Sequence, residues 1–245
     1  MNILDALKDI VKHTGSLGFI DAVKVIGTAT DAKIETKDAD STVIIFGNLK
    51  DPIAGIESTI GLARLAILKG TIGMHEGSKV SIVNETRGTV SYPAEILFDN
   101  NNEFLSHYRF MAESMINEYI KVPPFKGATW NITITPLKNA INRLSESYGV
   151  LGAFEKRFTV EVKKGILKFN IGRGAADNHS VPFATDVVGE LKHQWTYPLA
   201  QTLSILKLAD TSAVATMSFS DMGAMKIDID SGLGKYSYIL PAGKE

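Results

Sequence analysis

The chain contains no cysteine, so disulfides, thiol nucleophiles and cysteine-ligated zinc or iron–sulfur centres are excluded together. No apolar run approaches the roughly 20 residues of a helical membrane span, and the opening MNILDALKDI reads as a charged amphipathic helix, not as a signal peptide. Neither sign of charge prevails. Lys and Arg number 26 against 27 Asp and Glu, a formal net charge of −1, which argues against a whole-surface nucleic-acid binder but leaves room for a basic face on one set of elements. Catalytic signatures are missing too. There is no Gly-x-Ser-x-Gly elbow and no phosphate-loop lysine, and the five histidines have no metal-ligand spacing. The residues thus suggest no cofactor, no metal and no catalytic group. What is present is 245 residues, 44% of them apolar: enough to build a core in one large or two small domains.

One stretch occurs twice. Asp5 to Gly18, DALKDIVKHTGSLG, returns 134 residues later as Asn139 to Gly152, NAINRLSESYGVLG. Ala6, Gly15, Leu17 and Gly18 reappear as Ala140, Gly149, Leu151 and Gly152, while the charges between them change. A helix and turn used twice, with its buried side kept, has this pattern. Leu65 to Lys69, LAILK, echoes Leu203 to Lys207, LSILK, at an offset of 138. Two echoes in the same order predict a duplicated domain.

Each half reads as helix, strands, helix, strands. Residues 3–14 carry Ile3, Leu4, Leu7, Ile10 and Val11 at helical spacing, with Gly15 as a stop. Strands are expected at 22–29, 32–37 and 42–46. Asp51-Pro52 has the chemistry of an N-cap and first-turn proline, predicting a helix that ends near Lys69-Gly70, then strands at 71–75, 79–84 and 89–92. The run Glu103 to Ile120 fits helix or strand. Lys121 to Lys126, KVPPFK, reads as a linker stiffened by two prolines. The second half offers a strand at 129–133, a helix opened by Thr135-Pro136, a hairpin of 158–162 and 166–171 about Lys164-Gly165, a helix after Pro198, and strands at 214–219, 225–230 and 236–240. Without strand–helix alternation this is an α+β chain of mainly antiparallel sheets. The expected domains are residues 1–120 and 128–245, joined by a linker at 121–127.

Two constellations invite a chemical reading. Gly172-Arg173-Gly174 follows a strand, but no helical pattern starts there to supply the amides of a phosphate loop, so a plain turn is expected. Asp228 and Asp230 share a strand face without a third ligand, as a solvated face does. Charge sorted by element says more. The four expected helices, 2–14, 54–69, 136–148 and 196–208, carry seven cations, Lys8, Lys12, Arg64, Lys69, Lys138, Arg143 and Lys207. Against them stand four anions, Asp5, Asp9, Glu57 and Glu146, so the helices are mildly basic and the remainder acidic.

The doubled helix–strand order, the linker VPPFK and the C-terminal run GKYSYILPA together resemble the sliding clamps, the ring-shaped processivity factors of DNA polymerases, in their tailed-phage form. That resemblance implies a duplicated DNA-clamp fold, with two similar antiparallel-sheet domains of two short helices each. It implies a homotrimer that closes a ring on duplex DNA, helices lining the hole and sheets outside, without sequence preference and away from membranes. It implies a DNA polymerase and a clamp loader as partners, and the cytoplasm as the location, that of the host if the chain is phage-encoded. The seven helix cations become the candidate DNA-facing set. A sliding ring cannot read bases, and diffuse cations attract phosphates without fixing register. Partners of the family dock a short peptide beneath the linker beside the tail, which points to Val122, Pro123, Phe125, Leu240, Pro241 and Ala242 as borders of an exposed apolar groove. Glu103 to Ile120 is longer and more aromatic than the family's usual lead into the linker. Two other classes compete: a two-domain α+β nucleotide-processing enzyme with an interdomain site, and a phage structural protein assembling through sheet edges.

Overall fold

The computed structural model describes residues 1–100, 104–172, 177–209 and 215–243. The chain divides into two compact units, Met1–Pro123 with Leu233–Tyr236, and Pro124–Gly232 with Ser237–Glu245.

Unit 1 opens with α1 (Ile3–His13), whose first turn is capped by the Asn2 side chain accepting from the Leu4 N–H at 2.9 Å. Ile3, Ala6, Leu7, Ile10 and Val11 are all buried, while Lys8 is exposed on the opposite side. A short 3₁₀ turn at Gly15–Leu17 ends on Gly18 in the left-handed region. Next come β1 (Ala22–Gly27), β2 (Ala32–Lys37), β3 (Ile44–Leu49) and β4 (Thr59–Ala63), antiparallel in the order β4-β1-β2-β3. Then α2 (Leu65–Met74) packs beside α1, and the approach is close: a Cβ on Gly15 would lie 2.8 Å from Leu65 Cβ. A second antiparallel sheet has β5 (Lys79–Arg87), β6 (Val90–Asp99) and β7 (Leu105–Arg109). The unit ends with α3 (Glu113–Tyr119), pinned by Ile116, which packs with Ala22 and Ile120.

Unit 2 has β8 (Ile132–Ile134), α4 (Lys138–Leu151), β9 (Arg157–Lys163), β10 (Ile166–Ile171), β11 (His179–Ala184), β12 (Thr196–Pro198), α5 (Leu199–Ala209), β13 (Ala215–Ser220), β14 (Ala224–Asp230) and most of β15 (Gly234–Pro241). Its sheets run β11-β10-β9-β12 and β14-β13-β8, all antiparallel. The β9–β10 hairpin turns on Lys164 and Gly165, both at positive φ, the geometry that matches strand twist in a two-residue hairpin loop. The core is aromatic. Phe169 stacks on Phe183 at 4.1 Å, tilts on Phe158 at 4.5 Å and meets Phe219 edge-on at 6.1 Å.

The fold is α+β with antiparallel sheets and few short helices, and the element order repeats. β2 and β10 lie 134 residues apart at both ends, and α2 and α5 begin at Leu65 and Leu199, again 134 apart. Leu65 opens α2 as Leu199 opens α5, while Leu203 lies about one turn inside α5. The echo at offset 138 is displaced by about one helical turn, which brings the same buried stripe back into phase.

Several expectations give way to local packing. Asp51-Pro52 opens no helix; Ile53 and Ile56 tuck a turn into the core, and 59–63 becomes β4 because Ile60 and Leu62 are buried against β1. The helix starts only after Arg64 and runs through Gly70 to Met74, over residues that suggested a strand; the Thr71 hydroxyl donates to the Ile67 carbonyl within it. Within Glu103 to Ile120, Glu103 lies outside the described residues, and the rest divides into β7 and α3. At Thr135-Pro136 the helix waits until Lys138, with Leu137 at the N-cap and no side-chain cap bond.

Candidate nucleic-acid interface and partner surfaces

Lys8 and Lys12 sit one turn apart on α1, Lys8 exposed and Lys12 half-buried beside the packed side of the helix. Arg64 is exposed at the N-cap of α2 with φ 54, a left-handed backbone, so its side chain departs from the helix start instead of from a helical face. Lys69 is exposed in the middle of α2, not at its end. In unit 2, Lys138 and Arg143 are exposed on α4, and Lys207 is exposed in the last turn of α5. Each unit thus pairs two helices, α1 with α2 and α4 with α5, and each pair carries exposed cations. The two anions of α1 differ in standing. Asp5 is exposed in the first turn of α1, while Asp9 is buried and accepts a 2.8 Å hydrogen bond from the Tyr236 hydroxyl. Burial removes one negative charge from the wet side of α1.

Beneath that side lies a polar cluster that residue patterns do not disclose. His13 is fully buried, stacks on Tyr236 at 4.4 Å with the rings 8° from parallel, and stands 3.9 Å from the Asp9 carboxylate. Burial, and secondarily the charge of Lys12, lower its pKa to about 4, so the ring is neutral at ordinary pH.

The expected pocket residues fall in several places. Val122 packs against the Ala22, Ile116 and Ile120 cluster of unit 1, and Pro123 is exposed. Phe125 is 40% exposed and lies 6.2 Å from the Trp130 ring in unit 2, over which the Lys226 ammonium sits at 5.3 Å. Ala242 is half-buried, its N–H donating to the Gly223 carbonyl, and Pro241 is exposed. Leu240 is fully buried and offers nothing to a partner. As an inward position of β15 it is core, and this corrects its assignment to an exposed groove.

The remaining constellations are structural. Asp228 accepts from the Ser237 hydroxyl and meets Lys226, and Asp230 accepts from the Gly232 N–H. Gly172 turns at φ 83, while Arg173 and Gly174 lie outside the described residues. Among the described residues there is no group of three metal-ligating side chains, and no helix long and apolar enough to cross a membrane. Missed altogether was a groove of about 400 Å³ in unit 1, lined from 58–60, 92–94 and 109–114. Glu85 lines it as well, so four sequence-separated stretches make it and no local signal marks it.

Among solved structures the chain is similar to the PCNA of A. fulgidus bound to the C-terminal region of FEN-1, with a TM-score of 0.73 over 99% of this chain and 97% of that one, at 12% identity. It is also similar to the PCNA of Thermococcus kodakaraensis, at TM-score 0.69, 97% coverage of both chains and 12% identity. The fold is the sliding-clamp fold. No family model and no curated protein matches the sequence. The likeness is therefore one of fold, and it extends over both units and nearly the whole length of the PCNA chains.

Proposed function

We propose that this chain is a sliding clamp, of the tailed-phage type, that encircles duplex DNA as a homotrimer and tethers a replicative DNA polymerase after placement by a clamp loader. The observation that carries the reading is the repeated element order, with β10 lying 134 residues after β2, in a fold that follows PCNA over 99% of the chain. On this reading Lys8, Lys12, Arg64, Lys69, Lys138, Arg143 and Lys207 contact phosphates diffusely. Six of the seven are exposed, on or at the start of the paired helices, and Lys12 is half-exposed, which supports that role, since such contacts attract DNA without holding it in register. The protein acts as a scaffold without turnover of its own and works in the cytoplasm, that of the host if a phage encodes it.

Open edges favour closure by head-to-tail contact. β7 is an edge strand of its sheet and opens on exposed Leu105 after exposed Phe104; β11 is an edge strand of its own, beside α4 with exposed Val150 and Phe154 near the helix end. Two different edges flanked by exposed apolar residues suit a heterologous interface, which closes a ring where the rotation between copies does.

Partner recognition is assigned to Phe125 with Val122, Pro123, Pro241 and Ala242. The PCNA of A. fulgidus bound to the C-terminal region of FEN-1 is the precedent for a clamp holding a partner's tail. The test is loader-dependent stimulation of a polymerase on primed circular DNA. Processive synthesis that requires this chain supports the proposal; synthesis indifferent to it refutes the proposal.

A further inference from the structure

The groove of unit 1 runs beside the outer edge of β4. Gly61 and Met111 exchange two backbone hydrogen bonds there, 2.9 Å and 2.8 Å, forming a single antiparallel rung. Along a strand, residues two apart turn their N–H and C=O the same way. Thr59 therefore points both groups away from β1 and into the groove, while Ser58 bonds back to Gly27 at 3.2 Å. Continued register would set Glu113 opposite Thr59. Instead Ala112 leads the chain into α3, and the ladder stops after one rung. At the next rung the groove opens, lined by Tyr92, Pro93 and Ala94 of β6 and by Ala112 to Ser114.

The charge around this space is one-sided. Glu85 and Glu113 line it, and Glu57 lines the adjoining depression with Ser58 and Pro93. The one cation among the groove's described lining residues is Arg109, which already reaches Glu85 at 3.8 Å and Glu95 at 3.5 Å. Glu57 and Glu113 are exposed.

We propose that this groove binds an extended, basic segment of a partner protein, added as a strand beside Thr59. Its main chain takes the Thr59 N–H and C=O, and its Lys or Arg side chains reach Glu57 and Glu113. The site lies within unit 1, apart from the linker residues, and does not depend on the clamp reading.

The experiment pans the full-length chain against a displayed library of random 12-residue peptides, then measures synthetic copies of those enriched. Expected are peptides carrying Lys or Arg that slow hydrogen exchange at the Thr59 amide. A Glu57→Lys/Glu113→Lys variant, altered only at exposed positions and checked for unchanged circular dichroism, should bind them at least about tenfold more weakly. No enrichment, enriched peptides without basic residues, an unprotected Thr59, or equal binding by the double variant each overturns the proposal. Thr59 protection that rises with protein concentration in the absence of peptide also overturns it, because a second copy is then the occupant.

Discussion

Substituting His13 by Gln tests whether the buried cluster under α1 is held neutral. The ring is fully buried against Tyr236, and its pKa falls to about 4 from the ordinary 6.5. Because the folded-state pKa is depressed, the stabilising contribution is fully present above pH 6.5. As pH falls from 6.5 toward 4 the unfolded chain takes up a proton that the folded chain refuses, and stability drops; below about 4 the loss levels off. A shift of this size corresponds to about 3 kcal/mol in all, most of which is lost by about pH 4.5. The assay is urea unfolding of parent and His13→Gln at about pH 7 and pH 4.5, followed by far-ultraviolet circular dichroism. Titration of carboxylates remote from residue 13 contributes to both proteins and cancels in the difference; Asp9, 3.9 Å from the ring, is coupled to it. The parent should lose about 2 to 3 kcal/mol more than the variant across that interval. Equal losses would show that His13 protonates freely in the folded state and would refute the assignment of a buried neutral ring.

The other predictions concern packing and binding. Gly61→Ala sets a Cβ within 2.8 Å of both Ile116 Cδ1 and Met111 Cβ and should cost about 1–3 kcal/mol in denaturant unfolding, partly recovered by Ile116→Val. Leu240→Ala should cost about 2–5 kcal/mol of stability, as a core truncation does; Phe125→Ala should leave stability alone and weaken a polymerase tail peptide by about 1–3 kcal/mol in calorimetry. A combined Lys12, Arg64, Lys138 and Lys207 to Ala variant should keep its assembly by sedimentation while processive synthesis falls and its salt dependence flattens; unchanged processivity removes the phosphate-contact role.

How much could be read from residues alone follows from which interactions are local. α1 was legible because its buried stripe lies within one segment, and the Lys164-Gly165 hairpin because two residues set the turn. The strand at 166–171 was bounded to the residue for the same reason. β4 was not, since Thr59 to Ala63 looks as helical as strand-like until β1 is beside it. The start of α2 depends on Arg64 adopting a left-handed backbone, which nothing in its side chain announces. Thr71 to His75 favours a strand by composition, yet packing of Leu68, Thr71 and Ile72 on one side draws it into α2. Sorting charge by element singles out seven cations on or beside the helices, of which all but Lys12 are exposed. The tail was not legible: Leu240 and Pro241 read alike as apolar, and only strand alternation in β15 separates the buried residue from the exposed one.

Electron microscopy of the assembled protein tests the central claim most directly. A closed ring of three copies, six similar units around a hole wider than a DNA duplex, is the predicted image, and a closed circular duplex loaded with the help of a clamp loader should pass through that hole and be lost on linearisation. Monomers or open filaments at the concentrations that support DNA synthesis, or DNA bound on the outside of the particle, would contradict it.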